Sequence, residues 1–485
     1  MNDNLKQKVV SSLSWKFMDR IGVQGIQFVV QIILARLLFP EDYGVLTLIT
    51  IFISVANVFI QQGFNTALVQ KKEVDELDLS SCFFINLVVA LVLYTILFFG
   101  APLIGKFYGV ASVVPVLRIL SLSLFFGSIN SIQNAIVSRS MKFKRFFLSN
   151  IGSIVLSGIV GIVLAYMGYG VWALVFQQLT SAIVTTLILW FTVKWRPTLK
   201  VSLSRVKVLL KFGWKLIVSS FIDTIYQNLY ALVIGKAYDS EMLGHYNRGN
   251  QFPYLIADNV SATVSSVMLP AFSKRQDDKV ALKSMVRRSM VTSCFVLFPM
   301  MFGLAAVAEP IVRLLLTDKW LVCVPFMQIM CFVHAFNPIH IANLQAINAM
   351  GRSDIYLKLE IIKKVIGIII LIVTLPFSIY IFVAFKFLST IISTFVNASP
   401  NKKLLNYSYK EQIKDILPSL VLALFMALSV YLINFINIVP IVKLIIQLVL
   451  GFIVYFGVAK LFKFECLEYL INTIKEVFKN RKKAK

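Results

Sequence analysis

The sequence predicts an all-α polytopic membrane protein with fourteen transmembrane helices. The chain has 485 residues, of which 58% are hydrophobic and only 15% are charged. A soluble domain carries about 45–50% apolar and about 25% charged residues, so this composition excludes a soluble globular enzyme and a disordered protein. The apolar residues lie in runs close to the roughly 20 residues that a helix needs to cross a bilayer. Short polar segments separate these runs.

Each predicted span is an apolar run that is bounded by charged residues, Pro or Gly. The eighth is the most polar because it contains Asp258 and Asn259. The spans are residues 15–38, 43–64, 81–105, 113–137, 147–167, 170–194, 213–235, 249–272, 288–308, 321–347, 356–375, 377–397, 415–434 and 439–461.

The basic residues predict the orientation of the chain. Lys and Arg number 48 against 23 Asp and Glu, which gives a net charge of +25, and they are concentrated in every second loop. Cytoplasmic loops carry such an excess, so both termini are predicted to be cytoplasmic. Topology thus explains the charge, and no nucleic-acid partner is expected. The basic C-terminal tail is predicted to be attracted to anionic membrane lipids.

Two pairs of segments match across about 200 residues, which indicates an internal repeat. Ser14–Lys16 resembles Gly213–Lys215, and Ala35–Gly44 resembles Gly235–Gly244. Because these segments flank the first and seventh predicted spans, duplication is favoured over chance. Because each copy contains six spans, an even number, both copies insert in the same direction. Such repeats place a binding site between them near the bilayer midplane.

The repeat divides the predicted protein into two parallel six-helix lobes and an accessory helix pair. None of the predicted outer loops is long enough to hold a separate catalytic domain. The predicted segments are an N-lobe at 1–194, a cytoplasmic linker at 195–212, a C-lobe at 213–397, accessory spans 13 and 14 at 398–461, and a basic cytoplasmic tail at 462–485.

Polar residues follow one face of the first span and one face of the seventh. At spacings of three and four residues, such positions share a helix face. Either the residues line a water-filled cavity or they hydrogen-bond between packed helices. For the complete stripes we favour the cavity, because many polar groups in a dry or lipid-facing position are costly. The stripes are Lys16, Arg20, Gln24, Gln27 and Gln31, and Lys215, Ser219, Asp223, Tyr226 and Tyr230.

Three ionisable residues inside predicted spans are candidates for function. Lys386 lies midway along the twelfth span, where a cation costs roughly 2.5–3.5 kcal/mol unless it is paired or hydrated. We therefore expect it to face the cavity, and snorkelling is the alternative. Asp223 and Asp258 are the acids expected to bind a coupling proton or Na⁺, although Asp258 has a structural ion pair as its alternative role.

No catalytic or metal-binding motif occurs in the chain. There is no Walker sequence, no Ser/His/Asp constellation and no catalytic pair of carboxylates. His334 and His340 lack the i, i+4 spacing of a helical metal pair, and the five cysteines form no CxxC pair. We expect neither an enzyme nor a metal or cofactor, apart from the coupling ion.

Five segments carry a resemblance to a known family. They are Ala35–Gly44, Gly63–Gln70, Gly168–Val175, Leu243–Gly249 and Leu269–Ser273. In these segments the chain resembles the polysaccharide flippase family of the multidrug/oligosaccharidyl-lipid/polysaccharide exporter superfamily, particularly its Wzx-type and teichuronic-acid-exporter-like branch. The segments are spread over about the first 275 residues and identify structural turns more than substrate contacts.

The resemblance implies a fold like that of the multidrug and toxin extrusion (MATE) transporters, and a lipid-linked oligosaccharide as the substrate. Such a protein moves an undecaprenyl-pyrophosphate-linked repeat unit across the bacterial cytoplasmic membrane by alternating access, for O-antigen, capsule or exopolysaccharide synthesis. Glycosyltransferases and a polysaccharide polymerase are the implied partners. A buried hydroxyl without a partner costs roughly 2–7 kcal/mol, so a polar cavity is needed for the sugars. Lys16, Arg20, Lys215 and Lys386 are the cations expected to attract the pyrophosphate.

Three other functions compete with this interpretation. An ion-coupled multidrug exporter of the same superfamily shares the fold but typically has twelve spans and an anionic cavity. A polysaccharide polymerase places catalytic arginines in large outer loops, and the predicted outer loops here are short. A membrane scaffold needs no matched polar stripes.

Overall fold

Helices are the only regular structure in the described part of the chain. The computed structural model describes the backbone of residues 3–483, without the side chains of residues 1–14, 16, 17, 21, 212, 473, 474 and 477–485. The chain divides into two compact units, Met1–Gly244 and His245–Lys485. The predicted all-α fold class is therefore confirmed. The predicted lobe boundary at residues 195–212 stays a prediction, because compactness and repeat structure are different properties.

The described part of the first unit contains nine complete helices and the beginning of a tenth. In chain order they are α1 (Asp3–Leu37), α2 (Pro40–Gln61), α3 (Phe64–Gln70), α4 (Glu76–Tyr108), α5 (Val113–Leu120), α6 (Ser123–Ser140), α7 (Lys144–Tyr166), α8 (Val171–Thr192), α9 (Leu203–Ala237) and α10 (Ser240–Ser273).

The described part of the second unit contains the rest of α10 and nine further α-helices. Two short 3₁₀ helices, Asp318–Trp320 and Ile433–Phe435, lie between them. The α-helices are α11 (Lys279–Ala306), α12 (Ala308–Leu315), α13 (Cys323–Ala335), α14 (Asn337–Ala349), α15 (Ser353–Thr374), α16 (Ile379–Leu404), α17 (Tyr409–Leu432), α18 (Pro440–Leu461) and α19 (Glu465–Lys483).

Thirteen helical segments of the described chain are long and apolar enough to cross a membrane, so this is a multi-pass membrane protein. They correspond to thirteen of the fourteen predicted spans and include the polar eighth span, which lies in α10. The eleventh predicted span also forms a helix, α15. However, Lys358, Glu360, Lys363 and Lys364 make its first half highly charged, and α15 is not among the thirteen. The predicted count of fourteen is therefore not confirmed.

The spanning helices expose large apolar side chains, which is the surface that lipid requires. On α4, Phe99 is 72% and Leu103 is 73% exposed, while its backbone hydrogen bonds are satisfied inside the helix. The opposite side of the same helix packs into the first unit through Ala90 and Ala101, which are fully buried. Lipid-facing and protein-facing sides are thus distinguished by position around the helix.

The turn between α1 and α2 is built like the turn between α9 and α10. The two turns consist of residues 38–39 and 238–239, which lie 200 positions apart. In the first turn the carboxylate of Asp42 accepts a hydrogen bond from the backbone N–H of Phe39 at 3.0 Å. In the second turn Asp239 accepts one from the first turn of α10 at 2.6 Å. The match in sequence is therefore also a match in the helix bounds, while the donor and acceptor positions of the hydrogen bond are exchanged between the two turns.

A tight glycine turn joins α7 to α8. Gly168 has φ of +82° and Gly170 has φ of +54°, both in the left-handed region that residues with a Cβ adopt at a cost. The chain consequently reverses direction within the four residues 167–170. This confirms the tight turn that the segment Gly168–Val175 indicates.

Candidate functional site

The polar stripe of α1 lies on a different side of the helix from the face that packs against α7. The packed face includes Trp15, whose ring centroid lies 5.3 Å from that of Phe147. It also includes Asp19, which accepts a hydrogen bond from Asn150 Nδ2 at 3.0 Å. At about 100° per residue, the stripe is centred about 120° away from this face. The stripe is therefore directed away from α7.

The described members of the α1 stripe differ in exposure. Gln27 is exposed, whereas Arg20, Gln24 and Gln31 are half-buried. Arg20 and Gln24 both have interaction partners. The side chain of Lys16 lies outside the described residues. The assignment of these residues to a cavity stays a prediction.

One face of α9 packs against α2 within the first unit. The rings of Phe59 and Phe221 have centroids 5.6 Å apart and meet edge to face. Nearer the start of α9, a Cβ on Gly213 would lie 2.6 Å from the carbonyl oxygen of Gly63. The absence of a side chain at Gly213 is therefore what lets α9 approach the turn between α2 and α3 so closely.

The polar stripe of α9 lies on the opposite side from α2. From the face marked by Gly213 and Phe221, the stripe is centred about 200° around the helix at about 100° per residue. Lys215 is exposed, while Asp223 and Tyr226 are half-buried and have interaction partners. Both polar stripes of the first unit are thus directed away from the helices against which α1 and α9 are packed. The ion-binding role of Asp223 stays a prediction.

A cation lies inside the second unit at Lys386 of α16. Its Nζ donates a hydrogen bond to the hydroxyl of Tyr246 on α10 at 2.9 Å and lies 5.6 Å from the centre of the same ring. The residue is half-buried. One turn further along α10, Asn250 Oδ1 lies 3.0 Å from Nε2 of His334 on α13. The cation therefore sits beside a polar group built from three helices.

Sequence reasoning missed the α10 residues of this group. Tyr246, Asn250 and Tyr254 precede the predicted Asp258 at spacings of four, so that they follow one slowly turning face of the helix. Tyr254 also meets His334 edge to face, with ring centroids 6.0 Å apart. The i, i+4 spacing was the signal that could have found them. Asp258 is half-buried and has an interaction partner, and its ion-binding role stays a prediction.

The polar face of α16 continues from Lys386 and serves to pack helices. It repeats the spacing of the α1 stripe in Lys386, Thr390, Thr394, Asn397 and Asn401.

The C-terminal part of this face forms hydrogen bonds with α14. Asn397 Nδ2 lies 2.9 Å from Nδ1 of His340, and Asn401 Nδ2 donates to Asn343 Oδ1 at 2.6 Å. Asn343 is in turn bonded to Gln412 of α17 at 2.8 Å. Hydrogen bonding between packed helices is thus the role of this stripe beyond Lys386.

The described residues offer no set of donor groups that could bind a metal ion. No group of three or more His, Cys, Asp or Glu residues among the described residues is placed to hold a metal ion. The four cysteines of the spanning helices, Cys82, Cys294, Cys323 and Cys331, are buried and free. What the geometry offers is two polar helix faces in the first unit and a half-buried cation in the second.

Comparisons with known proteins identify the family of the chain. Residues 33–325 match the family model described as "Polysaccharide biosynthesis protein". The lipopolysaccharide biosynthesis protein WzxC of Escherichia coli K12 is 25% identical over 418 residues, which are 84% of each chain. The succinoglycan biosynthesis transport protein ExoT of Rhizobium meliloti is 27% identical over 312 residues, which are 64% of this chain and 63% of that one.

Solved structures show the same fold. The lipid II flippase MurJ in an inward closed conformation has a TM-score of 0.74 at 18% identity, covering 94% of this chain and all of that one. An inward-facing multidrug resistance MATE family transporter has a TM-score of 0.61 at 16% identity, covering 81% of this chain and 99% of that one. Since the family model covers more than half of the chain, this protein belongs to the polysaccharide biosynthesis protein family.

Proposed function

We propose that the protein is a flippase that moves a lipid-linked oligosaccharide across the bacterial cytoplasmic membrane by alternating access. The observation that carries the proposal is its family membership, since the similar WzxC and ExoT are named for lipopolysaccharide biosynthesis and for succinoglycan biosynthesis transport. The fold of a lipid II flippase over 94% of the chain supports it. On this basis the protein is a transporter and not an enzyme.

The chemistry of the substrate fits the polar groups of the helices. The sugar and its charged link need hydration or hydrogen bonds throughout the crossing, whereas a polyprenyl tail is at home in lipid. Gln24, Gln27 and Gln31 offer amide donors and acceptors for sugar hydroxyls. Arg20 and Lys386 offer the cations that a pyrophosphate binds. Lys16, Lys215 and Tyr226 belong to the same proposal.

The energy source and the topology are also part of the proposal. Asp223 and Asp258 are the residues that we assign to a coupling proton or Na⁺. Both termini lie in the cytoplasm according to the distribution of basic residues. Glycosyltransferases supply the substrate and a polymerase consumes the product, because an oligosaccharide repeat has to be assembled before it is moved and joined after it.

The multidrug exporter is the weaker alternative. The MATE structure shares the fold at 16% identity, which carries no information about the substrate. The family match and the names of the relatives favour the glycolipid. No observation on this chain favours a cationic drug over it.

Deletion of the gene in its host tests the proposal. We expect loss of one surface polysaccharide and accumulation of its lipid-linked repeat unit on the cytoplasmic face, measured by mass spectrometry of extracted lipids. Complementation with the intact chain should restore both. Unchanged glycan together with increased sensitivity to cationic drugs would overturn the proposal in favour of the multidrug exporter.

A further inference from the structure

A polar pocket lies in the second unit where α19 meets the beginning of α11. Its volume is about 260 Å³, which is several times the roughly 30 Å³ share of one water and slightly below the roughly 300 Å³ of small-molecule sites. The lining residues are Ser284, Arg287, Arg288, Val291 and Thr292 of α11, and Glu465, Cys466 and Tyr469 of α19.

We expect the pocket to lie at the level of the membrane surface. The ninth predicted span begins at residue 288, and α18, a spanning helix, ends at Leu461. Leu461 is 77% and the following Phe462 70% exposed, so the chain enters α19 with apolar side chains that reach towards lipid. Tyr469 adds an aromatic residue of the kind that collects at this level.

Three charged residues line the pocket, Arg287, Arg288 and Glu465, and among the described residues only Arg287 has an ion-pair partner. On α11, Arg287 Nη2 lies 2.9 Å from Asp415 Oδ1 of α17, and Lys283 lies 3.2 Å from Glu411 of the same helix. Arg288 forms no ion pair with a described residue, and its guanidinium lies 4.6 Å from the centre of the Tyr469 ring.

The second unpaired charge is Glu465 of α19. It is exposed, lines the same pocket as Arg288 and forms no ion pair with a described residue. The pocket is therefore lined by a cation, Arg288, and an anion, Glu465, that form no ion pair with each other, while Glu465 also interacts electrostatically with the paired Arg287. Two hydroxyls, those of Ser284 and Thr292, lie on the α11 side of it.

From this arrangement we propose that the pocket binds the zwitterionic phosphoethanolamine headgroup of a membrane phospholipid. The phosphate fits Arg288 and one of the two hydroxyls, which lie one turn before and one turn after it on α11, because a guanidinium donates two parallel hydrogen bonds to phosphate oxygens. The ammonium fits Glu465, because its N–H groups donate to a carboxylate. A choline headgroup has no such N–H, and a glycerol headgroup has no cation for Glu465.

Cys466 provides a reporter inside the pocket. It is half-buried, whereas the other four cysteines, Cys82, Cys294, Cys323 and Cys331, are fully buried. A bound headgroup should therefore slow the reaction of this single thiol with a water-soluble maleimide. Mass spectrometry of the labelled chain assigns the reaction to its residue.

The experiment uses the purified full-length chain, stripped of lipid in detergent. Short-chain phosphatidylethanolamine should slow labelling of Cys466 by about fivefold, the effect expected of a partly exposed ion pair. Phosphatidylcholine, phosphatidylglycerol and inorganic phosphate at the same concentration should slow it less than twofold. Native mass spectrometry of the same samples counts bound lipid without relying on the thiol.

Matched variants separate the pocket from the general surface. Arg288→Gln and Glu465→Gln should each abolish the protection, while Arg275→Gln and Glu468→Gln, which are exposed and outside the pocket, should leave it intact. Glu465→Lys should shift the preference to phosphatidylglycerol. Both pocket residues are exposed, so folding, measured by gel-filtration elution, should be unaffected.

Three outcomes would overturn the proposal. One is equal protection by all three lipids, and another is protection that survives both Arg288→Gln and Glu465→Gln. The third is a preference of the unmodified protein for phosphatidylglycerol or inorganic phosphate, since it would make the pocket a general anion site.

Discussion

Gly44 of α2 packs directly against the backbone carbonyl of Ser240 of α10. A Cβ on Gly44 would lie 1.6 Å from the Ser240 oxygen, so no other residue fits without moving a helix. The reciprocal contact also exists, because a Cβ on Gly244 would lie 1.9 Å from the carbonyl oxygen of Pro40. In each helix the fifth residue faces the first residue of the other.

This exchange of contacts is what the predicted internal repeat leads one to expect. Pro40 and Gly44 correspond to Ser240 and Gly244 at an offset of 200. Two copies related by a two-fold axis make such self-complementary contacts, as symmetric oligomers do. The glycines of the repeated motif are therefore explained by a close approach of helices, and their φ values play no part.

Replacement of Gly44 by Ala should push α2 and α10 apart at this contact. We expect a loss of about 1–3 kcal/mol of stability, the usual cost of overpacking, seen as a lower melting temperature of the purified protein in detergent. Gly244→Ala should behave alike. The double variant should lose less than the sum of the single variants, because one separation of the helices relieves both clashes.

Gly100→Ala is the matched control for this prediction. Gly100 lies within α4, and nothing lies within 4 Å of a Cβ added there. Ala is the better helix former by about 1 kcal/mol, so this variant should be as stable as the parent or more so. A Gly44→Ala protein with unchanged melting temperature would contradict the close contact.

The fold could be predicted from the sequence because a bilayer demands a simple pattern. Apolar runs of spanning length have few alternatives to a helix, and even the polar eighth span proved helical in α10. The eleventh span shows the limit of this reasoning. In α15 the residues Lys358, Glu360, Lys363 and Lys364 bring so much charge into an apolar run that composition alone does not settle whether it crosses.

The partners within the site could not be predicted in the same way. Lys386 stood out because a cation in mid-span is costly, but its partner Tyr246 lies 140 residues earlier. His334 and Asn250 are 84 residues apart. Helix periodicity identifies the face on which a residue lies, whereas the neighbour across that face depends on tertiary packing that periodicity does not encode.

A buried carboxylate anchors the beginning of α9 to α4. Asp78 is fully buried, forms an ion pair with Lys71 and lies 3.3 Å from the guanidinium of Arg205. Asp78→Asn should therefore lower the free energy of unfolding by about 2 kcal/mol, in line with hydrogen bonds to charged groups. Glu73→Gln, at an exposed acid in the neighbouring loop, should have no effect on the melting temperature.

A double-variant cycle measures the interaction between Asp78 of α4 and Arg205 of α9. If Asp78 acts through Arg205, Arg205→Gln should cost much less in the Asp78→Asn background than in the parent. Additive losses would show that the carboxylate acts independently of Arg205, through Lys71 and the first turn of α4.

The labelling rate of Cys466 should depend steeply on pH. Burial raises the pKa of this thiol above its ordinary value, and only the thiolate reacts. The rate should therefore rise about tenfold per pH unit from pH 7 to pH 9, as expected when the pH stays below the pKa. Free cysteine, measured in parallel, should begin to level off in this range. A plateau for Cys466 below pH 8 would show that its pKa is not raised.

The two polar stripes of the first unit should be accessible to water during transport. In a Cys466→Ser background, single cysteines at Gln24, Gln27 and Asp223 should react with a membrane-impermeant maleimide in intact cells or inverted vesicles. Each stripe has a control position on the packed face of the same helix.

Val30 and Phe221 supply these controls. Val30 of α1 lies against Gly158 of α7, and Phe221 of α9 lies against Phe59 of α2, so cysteines there should stay unlabelled from both sides. If stripe and control positions were labelled equally, the stripes would serve only to pack helices against each other, as the C-terminal part of the α16 face does.

Loss of the Lys386 cation should stop transport without unfolding the protein. Lys386→Met keeps the length of the side chain and removes a half-buried charge, whose burial is itself unfavourable, so the melting temperature should stay or rise. If the cation attracts the pyrophosphate, surface glycan should fall at least about tenfold, the value of one charge-assisted hydrogen bond.

Lys386→Arg should retain partial activity because it keeps the charge, and Tyr246→Phe should reduce export less than Lys386→Met does. Lys443→Met is the matched control, since Lys443 of α18 lies near the end of a span and donates a hydrogen bond to the backbone carbonyl of Asn434 at 3.1 Å. Normal glycan in the Lys386→Met strain, with the protein present in the membrane, would remove this residue from the substrate path and leave it the structural task of joining α16 to α10.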